Sequence, residues 1–235
     1  VAMLLSYEIP MAIAIVGVIM VAGSLSLVRV VEAQNVPFAL VMPLGFLVFF
    51  LASVAEINRT PFDINEAESE LVAGYHTDYS GMKFGLFYLA EFAATIAASA
   101  VIVTLFLSGW RGFEWLPSQA WFLMKLVGVL FIIIWLRATW PRLRIDQILA
   151  FAWKGLFELT LVNLIAMAIL LAVWPEPTTR ELWIMGAINW VVFLIAVYGV
   201  GRLLGPRKRH TNRIGNESVD QSRSEIEAHQ YMERI

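Results

Sequence analysis

Acidic side chains cluster in one connection between two apolar segments, within the stretch AEINRTPFDINEAESELVAGYHTDYSG at residues 55–81. The charged residues of this stretch are Glu56, Arg59, Asp63, Glu66, Glu68, Glu70 and Asp78. Asp63 and Glu66 have the spacing of a capping box, which predicts a short helix. Glu66 and Glu70 then share one face, where like charges weaken a helix. Helix stability therefore does not explain the carboxylates. The alternatives are proton exchange beside a ligand and an acidic helix that only faces solvent.

Further carboxylates occur inside or at the edges of the apolar segments, namely Glu8, Glu56, Glu91 and Glu158. A charged side chain at the middle of a membrane costs roughly 2.5–3.5 kcal/mol on insertion scales. Burial disfavours the charged form, so such a group exchanges protons more readily at neutral pH. Glu91 is the clearest case, because apolar residues precede it and small residues follow it. For Glu8 a solvated helix end is the alternative. We predict a proton path whose members, in order, are Glu66, Glu68, Glu70, Glu56, Glu8 and Glu91.

The remaining polar residues of the apolar segments give weaker signals. Lys125 is expected to reach the membrane surface or to neutralise a carboxylate. Lys154 and Glu158 have the spacing of a local ion pair on a helix. His76 has no second ligand candidate nearby, so no metal site is predicted, and the alternatives for it are proton exchange and simple hydrogen bonding. No residue is assigned a catalytic role.

The amino-acid composition indicates that membrane-spanning helices position these polar residues. Hydrophobic residues make up 59% of the 235 residues, charged residues make up 15%, and the mean hydropathy is +0.71. Apolar runs long enough, or nearly so, to cross a bilayer occur at about 9–31, 36–55, 82–107, 119–136, 147–174 and 182–203. We therefore predict an all-α, polytopic transmembrane bundle of about six helices over residues 1–204. A polar, partly disordered tail is expected at 205–235.

Lysine and arginine residues predict the orientation of the bundle. With six crossings, the connection at 58–81 and the tail lie on one side, and that side carries most of the basic residues near the membrane. The excess predicts that both are cytoplasmic. The net charge of -2 provides no basic face for nucleic acid, so no nucleic-acid partner is expected.

Several motifs together resemble one known family. EINRTPFD, EAESELVAGY and YSGMKF with the later AEF are similar to the signature of the H subunit of NADH-quinone oxidoreductase, the subunit 1 family of respiratory complex I. SYEIPM at 6–11 and LTLVNL at 159–164 are similar to flanking helices of that family. The resemblance implies a membrane component of a proton-translocating enzyme of the translocase class, in the inner (plasma) membrane. It also implies a quinone chamber at the junction with a peripheral arm.

The resemblance implies a role for each matching residue. It assigns Arg59, Asp63, Glu66, Glu68 and Glu70 to a loop beside the quinone. It assigns Glu8, Glu56 and Glu91 to the membrane proton path.

The resemblance also implies the cofactors and partners. Quinone is the substrate, and NADH, FMN and the iron–sulfur clusters belong to partner subunits, with no redox centre on this chain. The expected partners are the quinone-site subunits of the peripheral arm, antiporter-like membrane subunits and the lipid bilayer.

The sequence departs from the family pattern in two places. The earlier helices of the family and an RxGPN-type segment are absent, so we expect the chain to be a fragment. INEAE also stands where many relatives carry a proline.

Three other functions are alternatives to this assignment. One alternative is the homologous component of an energy-converting hydrogenase-type complex. Another is a standalone proton or cation transporter, for which no internal repeat is found. A purely structural anchor leaves Glu91 unexplained.

Overall fold

The computed structural model describes residues 2–57, 62, 81–112, 115–141, 145–175 and 177–204. The predicted all-α architecture is confirmed, since helices make up this part of the chain and no strand occurs in it. The helices are α1 (Ala2–Ala22), α2 (Leu27–Ala33), α3 (Phe38–Val41), α4 (Pro43–Glu56), α5 (Met82–Phe106), α6 (Ser118–Thr139), α7 (Ile145–Phe151), α8 (Phe157–Val173) and α9 (Thr179–Leu204). A π-helical turn, Ala152–Leu156, joins α7 to α8.

Five of the described segments are long and apolar enough to cross a membrane: Leu5–Ala22, Met82–Phe106, Ser118–Thr139, Gln147–Val173 and Thr179–Arg202. The protein is therefore a multi-pass membrane protein. Each crossing corresponds to a predicted apolar run. The polar tail predicted at 205–235 lies outside the described residues.

The remaining predicted crossing, at 36–55, is not a single helix but is divided into α3 and α4. Met42 interrupts it with φ -132° and ψ 71°, and Pro43 begins α4. A residue that precedes proline is disfavoured in the helical region, whereas proline itself is well suited to the first turn. The resulting α4 has 14 residues, which is short of the about 20 that a crossing needs.

A tight group of helices forms the interior, in which α1 packs against α4 and α8. Asn163 of α8 is only 2% exposed and lies against two glycines of the neighbouring helices. A Cβ atom would lie 3.3 Å from the Asn163 side-chain nitrogen at Gly17 and 2.9 Å from it at Gly45. Glycine at these positions allows the helix backbones to approach closely around a polar side chain.

The π-helical turn changes the helix that runs from α7 into α8. Thr160 donates its hydroxyl to the carbonyl oxygens of Leu156 and Phe157, at 2.7 and 2.9 Å. No ion pair joins Lys154 and Glu158 in the described part of the chain, and both side chains are exposed. The π turn alters the angle between these residues, so the spacing rule for a regular helix does not apply to them.

The turn between α5 and α6 takes its shape from residues in the left-handed region. Ser108 has φ 59° and Gly109 has φ 47°. A Cβ on Gly109 would also lie 2.8 Å from a methyl group of Val31, which favours glycine there. Gln34 is 2% exposed and holds this turn from the end of α2. It donates to the carbonyl oxygens of Thr104 and Leu105, at 2.9 and 3.1 Å, and accepts from the Ser108 amide at 2.7 Å.

Lys125 of α6 holds the same turn from the other side. Its ammonium donates to the carbonyl oxygens of Leu107, Gly109 and Arg111, at 2.7, 3.1 and 2.6 Å. The sequence suggested that Lys125 reaches the membrane surface or neutralises a carboxylate. Instead it satisfies backbone carbonyls that follow the end of α5, which fixes the α5–α6 connection.

Candidate functional site

Glu8 and Glu56 lie close enough for their charges to interact. Glu8 belongs to α1 and Glu56 is the last residue of α4, and these two helices pack against each other. Glu56 lies outside the five helices that are long enough to cross a membrane. Partial burial raises the pKa of Glu56, and the Glu8 carboxylate raises it further. Both side chains remain exposed at this edge of the bundle. Loss of a proton from Glu8 therefore makes Glu56 harder to ionise.

An open cavity of about 470 Å³ adjoins this pair and separates α1, α4 and α5. Its lining comprises Met11, Ile15, Phe49, Ser53, Glu56, Ile57, Ala94, Ala97, Ala98 and Val101. Ser53 turns its hydroxyl toward the Phe49 carbonyl, at 2.8 Å, and toward the Met11 sulfur, at 3.7 Å. Glu56 is thus the charged group of a wall that is otherwise almost entirely apolar. A space of this size accommodates several waters or the apolar part of a ligand.

Glu91 lies on α5, one turn before the alanines that line the cavity. Its side chain is half-buried, and one of its carboxylate oxygens is inaccessible to solvent. Thr95 donates its hydroxyl to the Glu91 carbonyl at 2.9 Å. Glu91 does not line the cavity itself, but Ala94 does. The structure thus places Glu8 and Glu56 together and puts Glu91 on the helix that forms the opposite wall.

Phe62 is the one described residue between positions 58 and 80, and it is buried. It is 1% exposed and contacts Tyr7 edge to face, with ring centroids 5.5 Å apart. On its other side it stacks on Phe151 of α7, with centroids 6.4 Å apart. Phe62 therefore anchors the connection between α1 and α7, against the residue that precedes Glu8 in the sequence.

The hydroxyl of Tyr7 is a second polar group at this location. Tyr7 is 2% exposed, and its hydroxyl finds no hydrogen-bond partner in the part of the chain that the structure describes. A buried hydroxyl without a partner costs free energy, so it commonly marks a site that a water or a ligand completes. Nearby, Trp153 donates its indole N–H to the Ser6 hydroxyl at 2.9 Å, which ties the π-helical turn to α1.

The sequence analysis did not predict the roles of Tyr7, Ser6 and Trp153. Tyr7 adjoins Glu8 in the motif SYEIPM, so a phenol beside a membrane carboxylate was the available signal. Nothing in the sequence relates Trp153 to Ser6, because the contact depends on how α8 packs against α1.

The loop residues that were predicted to lie near quinone fall outside the described residues. They are Arg59, Asp63, Glu66, Glu68 and Glu70. The capping box of Asp63 and Glu66 and the position of His76 are outside them too. In the described part of the chain, no group of three or more histidine, cysteine or acidic residues has a geometry suited to a metal.

The fold and the site define a class of protein: a polytopic α-helical membrane protein with interacting carboxylates beside a largely apolar cavity. The family model described as NADH dehydrogenase matches residues 1–168. The chain therefore belongs to the NADH dehydrogenase family.

Curated relatives agree with this assignment. The chain is 55% identical over 177 residues to the H subunit of NADH-quinone oxidoreductase from Dehalococcoides mccartyi (strain CBDB1), covering 75% of this chain and 50% of the relative. It is 48% identical over 173 residues to the protein of the same name from Geobacillus thermodenitrificans (strain NG80-2), covering 72% and 52%. The protein of that name from Bacillus cereus (strain AH187) is 46% identical over 173 residues, with the same coverage. The chain spans about half the length of the curated relatives that it matches.

Proposed function

We propose that this chain forms part of the membrane arm of a proton-translocating NADH:quinone oxidoreductase in the inner (plasma) membrane. Two findings support the proposal: the chain belongs to the NADH dehydrogenase family, and it is a multi-pass membrane protein. The relatives are named as a component of NADH-quinone oxidoreductase, and that name supplies the reaction. In this proposal the chain contributes to the quinone site and to the path that couples quinone reduction to proton movement.

One observation carries the proton-coupling part of the proposal: the charge of Glu8 acts on Glu56 beside the cavity between α1, α4 and α5. Reduction of a quinone adds negative charge and takes up protons. A carboxylate whose pKa is raised by partial burial and by a neighbouring charge, as that of Glu56 is, responds to such an event by changing protonation. In this scheme the proton passes from the acidic connection to Glu56 and Glu8, and Glu91 carries it along α5.

The acidic connection supplies the quinone end of the scheme. Arg59, Asp63, Glu66, Glu68 and Glu70 are proposed to lie near the quinone head group, on the cytoplasmic side. The buried position of Phe62 supports this part, because it holds one point of the connection against Tyr7 and next to Glu8.

The redox groups are proposed to belong to partner subunits. The sequence has no cysteine, and iron–sulfur clusters are held mainly by cysteine thiolates. NADH, FMN and the clusters are therefore assigned to the peripheral arm, which delivers electrons to quinone. Antiporter-like membrane subunits are the proposed recipients of the resulting conformational change.

Glutamine substitutions in the full-length protein of the assembled complex test the proposal. Glu56→Gln and Glu8→Gln remove a titrating group and keep its shape. Each is expected to lower the rate of quinone reduction coupled to proton translocation by at least about tenfold. This value is conservative, because a positioned proton-transfer group usually contributes more than that to a rate. NADH-driven quinone reduction and the proton gradient would be measured together in membrane vesicles.

Glu158→Gln is the matched control, because Glu158 is an exposed glutamate at the start of α8 and is not among the residues that line the cavity. Its rate and proton yield should equal those of the unmodified complex. NADH oxidation by a soluble artificial acceptor should be the same in all variants, which verifies assembly. Unchanged rates and proton yields in both Glu56→Gln and Glu8→Gln would refute the coupling role. A complex that evolves hydrogen and leaves quinone oxidised would refute the proposal that quinone is the electron acceptor.

A further inference from the structure

A second cavity lies between α5 and α6, and none of Glu8, Glu56 and Glu91 is among its lining residues. Its volume is about 240 Å³, and its lining is formed by Phe92, Thr95, Ile96, Leu130, Ile133, Ile134 and Arg137. The wall is apolar except for the Thr95 hydroxyl, which is engaged with the Glu91 carbonyl, and the Arg137 guanidinium. We refer to it as the α5–α6 groove.

The α5–α6 groove opens on the outer surface of the bundle. Only 11% of the apolar window of α6 is buried, the smallest share among the described membrane spans. Ile134 is 63% exposed and Ile96 is 49% exposed, so both edges of the groove face outward. Large apolar side chains on the outside of a membrane-spanning segment face lipid or another apolar partner.

Arg137 occupies one end of the groove, in the last turn of α6. Trp135 and Trp140 flank it in the sequence and are 62% and 47% exposed. Tryptophans of this kind are enriched at the level of the lipid head groups. From Leu130 to Arg137 the helix rises roughly 10 Å, at 1.5 Å per residue. The groove therefore runs from the head-group level into the hydrocarbon, with its positive charge at the head-group end.

We propose that the α5–α6 groove binds an anionic phospholipid, with an acyl chain along the apolar wall and the phosphate on Arg137. The order of the chemical groups in the groove matches the order in such a lipid. A guanidinium binds a phosphate through two parallel hydrogen bonds, and basic pockets between membrane helices favour anionic head groups. A helix from another subunit is less suitable as the occupant, because it would bury Arg137 unless it supplied a carboxylate.

Photo-crosslinking in the purified, assembled complex tests this site directly. The probe is phosphatidylglycerol with a photoreactive acyl chain, and phosphatidylcholine with the same chain is the comparison. Crosslinked peptides from α5 and α6 are expected for phosphatidylglycerol. Arg137→Gln should reduce this capture about fivefold, which is the effect of one basic residue at an anionic membrane surface. Arg137→Lys should retain most of it.

A second pair of variants separates the apolar wall from the charge. Ile134→Trp fills the groove and should reduce capture of both lipids, whereas Ile132→Trp, on an exposed α6 position outside the lining, should not. Arg29→Gln, at an exposed arginine of α2, is the control for net charge. Added glycerol phosphate should not compete, since the head group alone lacks the acyl chain.

Three results would overturn the proposal. They are equal capture of the two lipids by the unmodified complex, capture that is unaffected by Arg137→Gln, and labelling of other subunits by the lipid probe with no labelled peptide from α5 or α6. The measurement on the unmodified complex decides the matter even if a variant fails to assemble.

Discussion

Trp153 donates its indole N–H to the Ser6 hydroxyl across 2.9 Å, and this bond joins the π-helical turn to the first turns of α1. The bond lies beside Tyr7 and Glu8, so it positions the helix that carries one carboxylate of the candidate site. Replacing Trp153 by phenylalanine keeps an aromatic ring and removes the donor. We expect a loss of about 1 kcal/mol in the free energy of unfolding, the typical value of one neutral hydrogen bond.

Thermal unfolding of the full-length protein in detergent measures this loss for Trp153→Phe. Trp190→Phe is the matched control, because Trp190 is 43% exposed on α9 and keeps its ring contact with Phe193 as phenylalanine. Equal melting temperatures for the two variants would show that the bond between Trp153 and Ser6 contributes no stability.

Lys125→Met should loosen the turn between α5 and α6. The variant keeps the aliphatic length and leaves the carbonyl oxygens of Leu107, Gly109 and Arg111 without the ammonium. Hydrogen bonds to a charged group contribute about 1.5–3 kcal/mol, so a destabilisation of about 2 kcal/mol is expected. Faster proteolysis between residues 107 and 117 is the measurement, and Lys83→Met at an exposed position of α5 is the control. A turn as resistant as that of the control would contradict the role of Lys125.

Gln34→Glu should destabilise the same turn from the opposite side. The carboxylate cannot donate to the carbonyls of Thr104 and Leu105, and it places a charge at a residue that is 2% exposed. A loss of about 2 kcal/mol is expected, since both the lost donors and the buried charge act in the same direction. Gln119→Glu, at an exposed residue of α6, makes the same chemical change in solvent and should be neutral. Unfolding in denaturant would compare the two.

Gly45→Ala should destabilise the interior, and a second substitution should rescue it. The new methyl group would lie 2.9 Å from the Asn163 side-chain nitrogen, so about 1 kcal/mol or more is lost by overpacking. Asn163→Ala in the same chain makes room and should recover part of that loss. Gly128→Ala, which meets open space on α6, should instead stabilise the helix by about 0.5–1 kcal/mol. Melting temperatures that fall equally in both alanine variants would contradict this account of the packing.

Glu56 should make stability fall as the pH rises. Its pKa is higher in the folded protein than in the unfolded chain, so the folded state binds more protons between the two values. The stability that Glu56 contributes is highest below the pKa that it has in the unfolded chain. This contribution decreases as the pH rises through the pKa that Glu56 has in the folded protein. Glu8→Gln removes one cause of the elevation and should make the decrease smaller, whereas Glu158→Gln should leave it unchanged. Melting temperature as a function of pH measures the slope, and a slope that Glu8→Gln does not alter would contradict the interaction.

The sequence predicted the membrane helices well because lipid imposes a length and a composition that can be counted. It did not predict the break at Met42, although Pro43 was visible, because α4 is mostly buried against other helices and therefore remains apolar without spanning the full bilayer. The π-helical turn left no pattern in the sequence, because a Thr160 hydroxyl that bonds to the carbonyls of Leu156 and Phe157 has the spacing that a threonine also has in a regular helix.

The candidate site was predicted in its chemistry more than in its geometry. The positions of Glu8 and Glu56 in apolar surroundings indicated carboxylates with an unusual environment. The effect of Glu8 on the pKa of Glu56 depends on the packing of α1 on α4, and the spacing of the two residues along the chain does not encode that packing. Phe62 is buried between Tyr7 and Phe151 and so anchors the connection, which its position in the sequence alone does not indicate. The predicted assignments of Arg59, Asp63, Glu66, Glu68 and Glu70 remain predictions.

The π-helical turn Ala152–Leu156 has a consequence for tolerance to changes in chain length. A π turn is an α-helix that has taken in one extra residue, so deleting a single residue there would restore a regular helix and keep the flanking segments in phase. The same deletion within α8 would rotate everything after it by about 100° and turn Asn163 or Met167 out of the interior. A single-residue deletion in this helix should therefore be accepted at that one place.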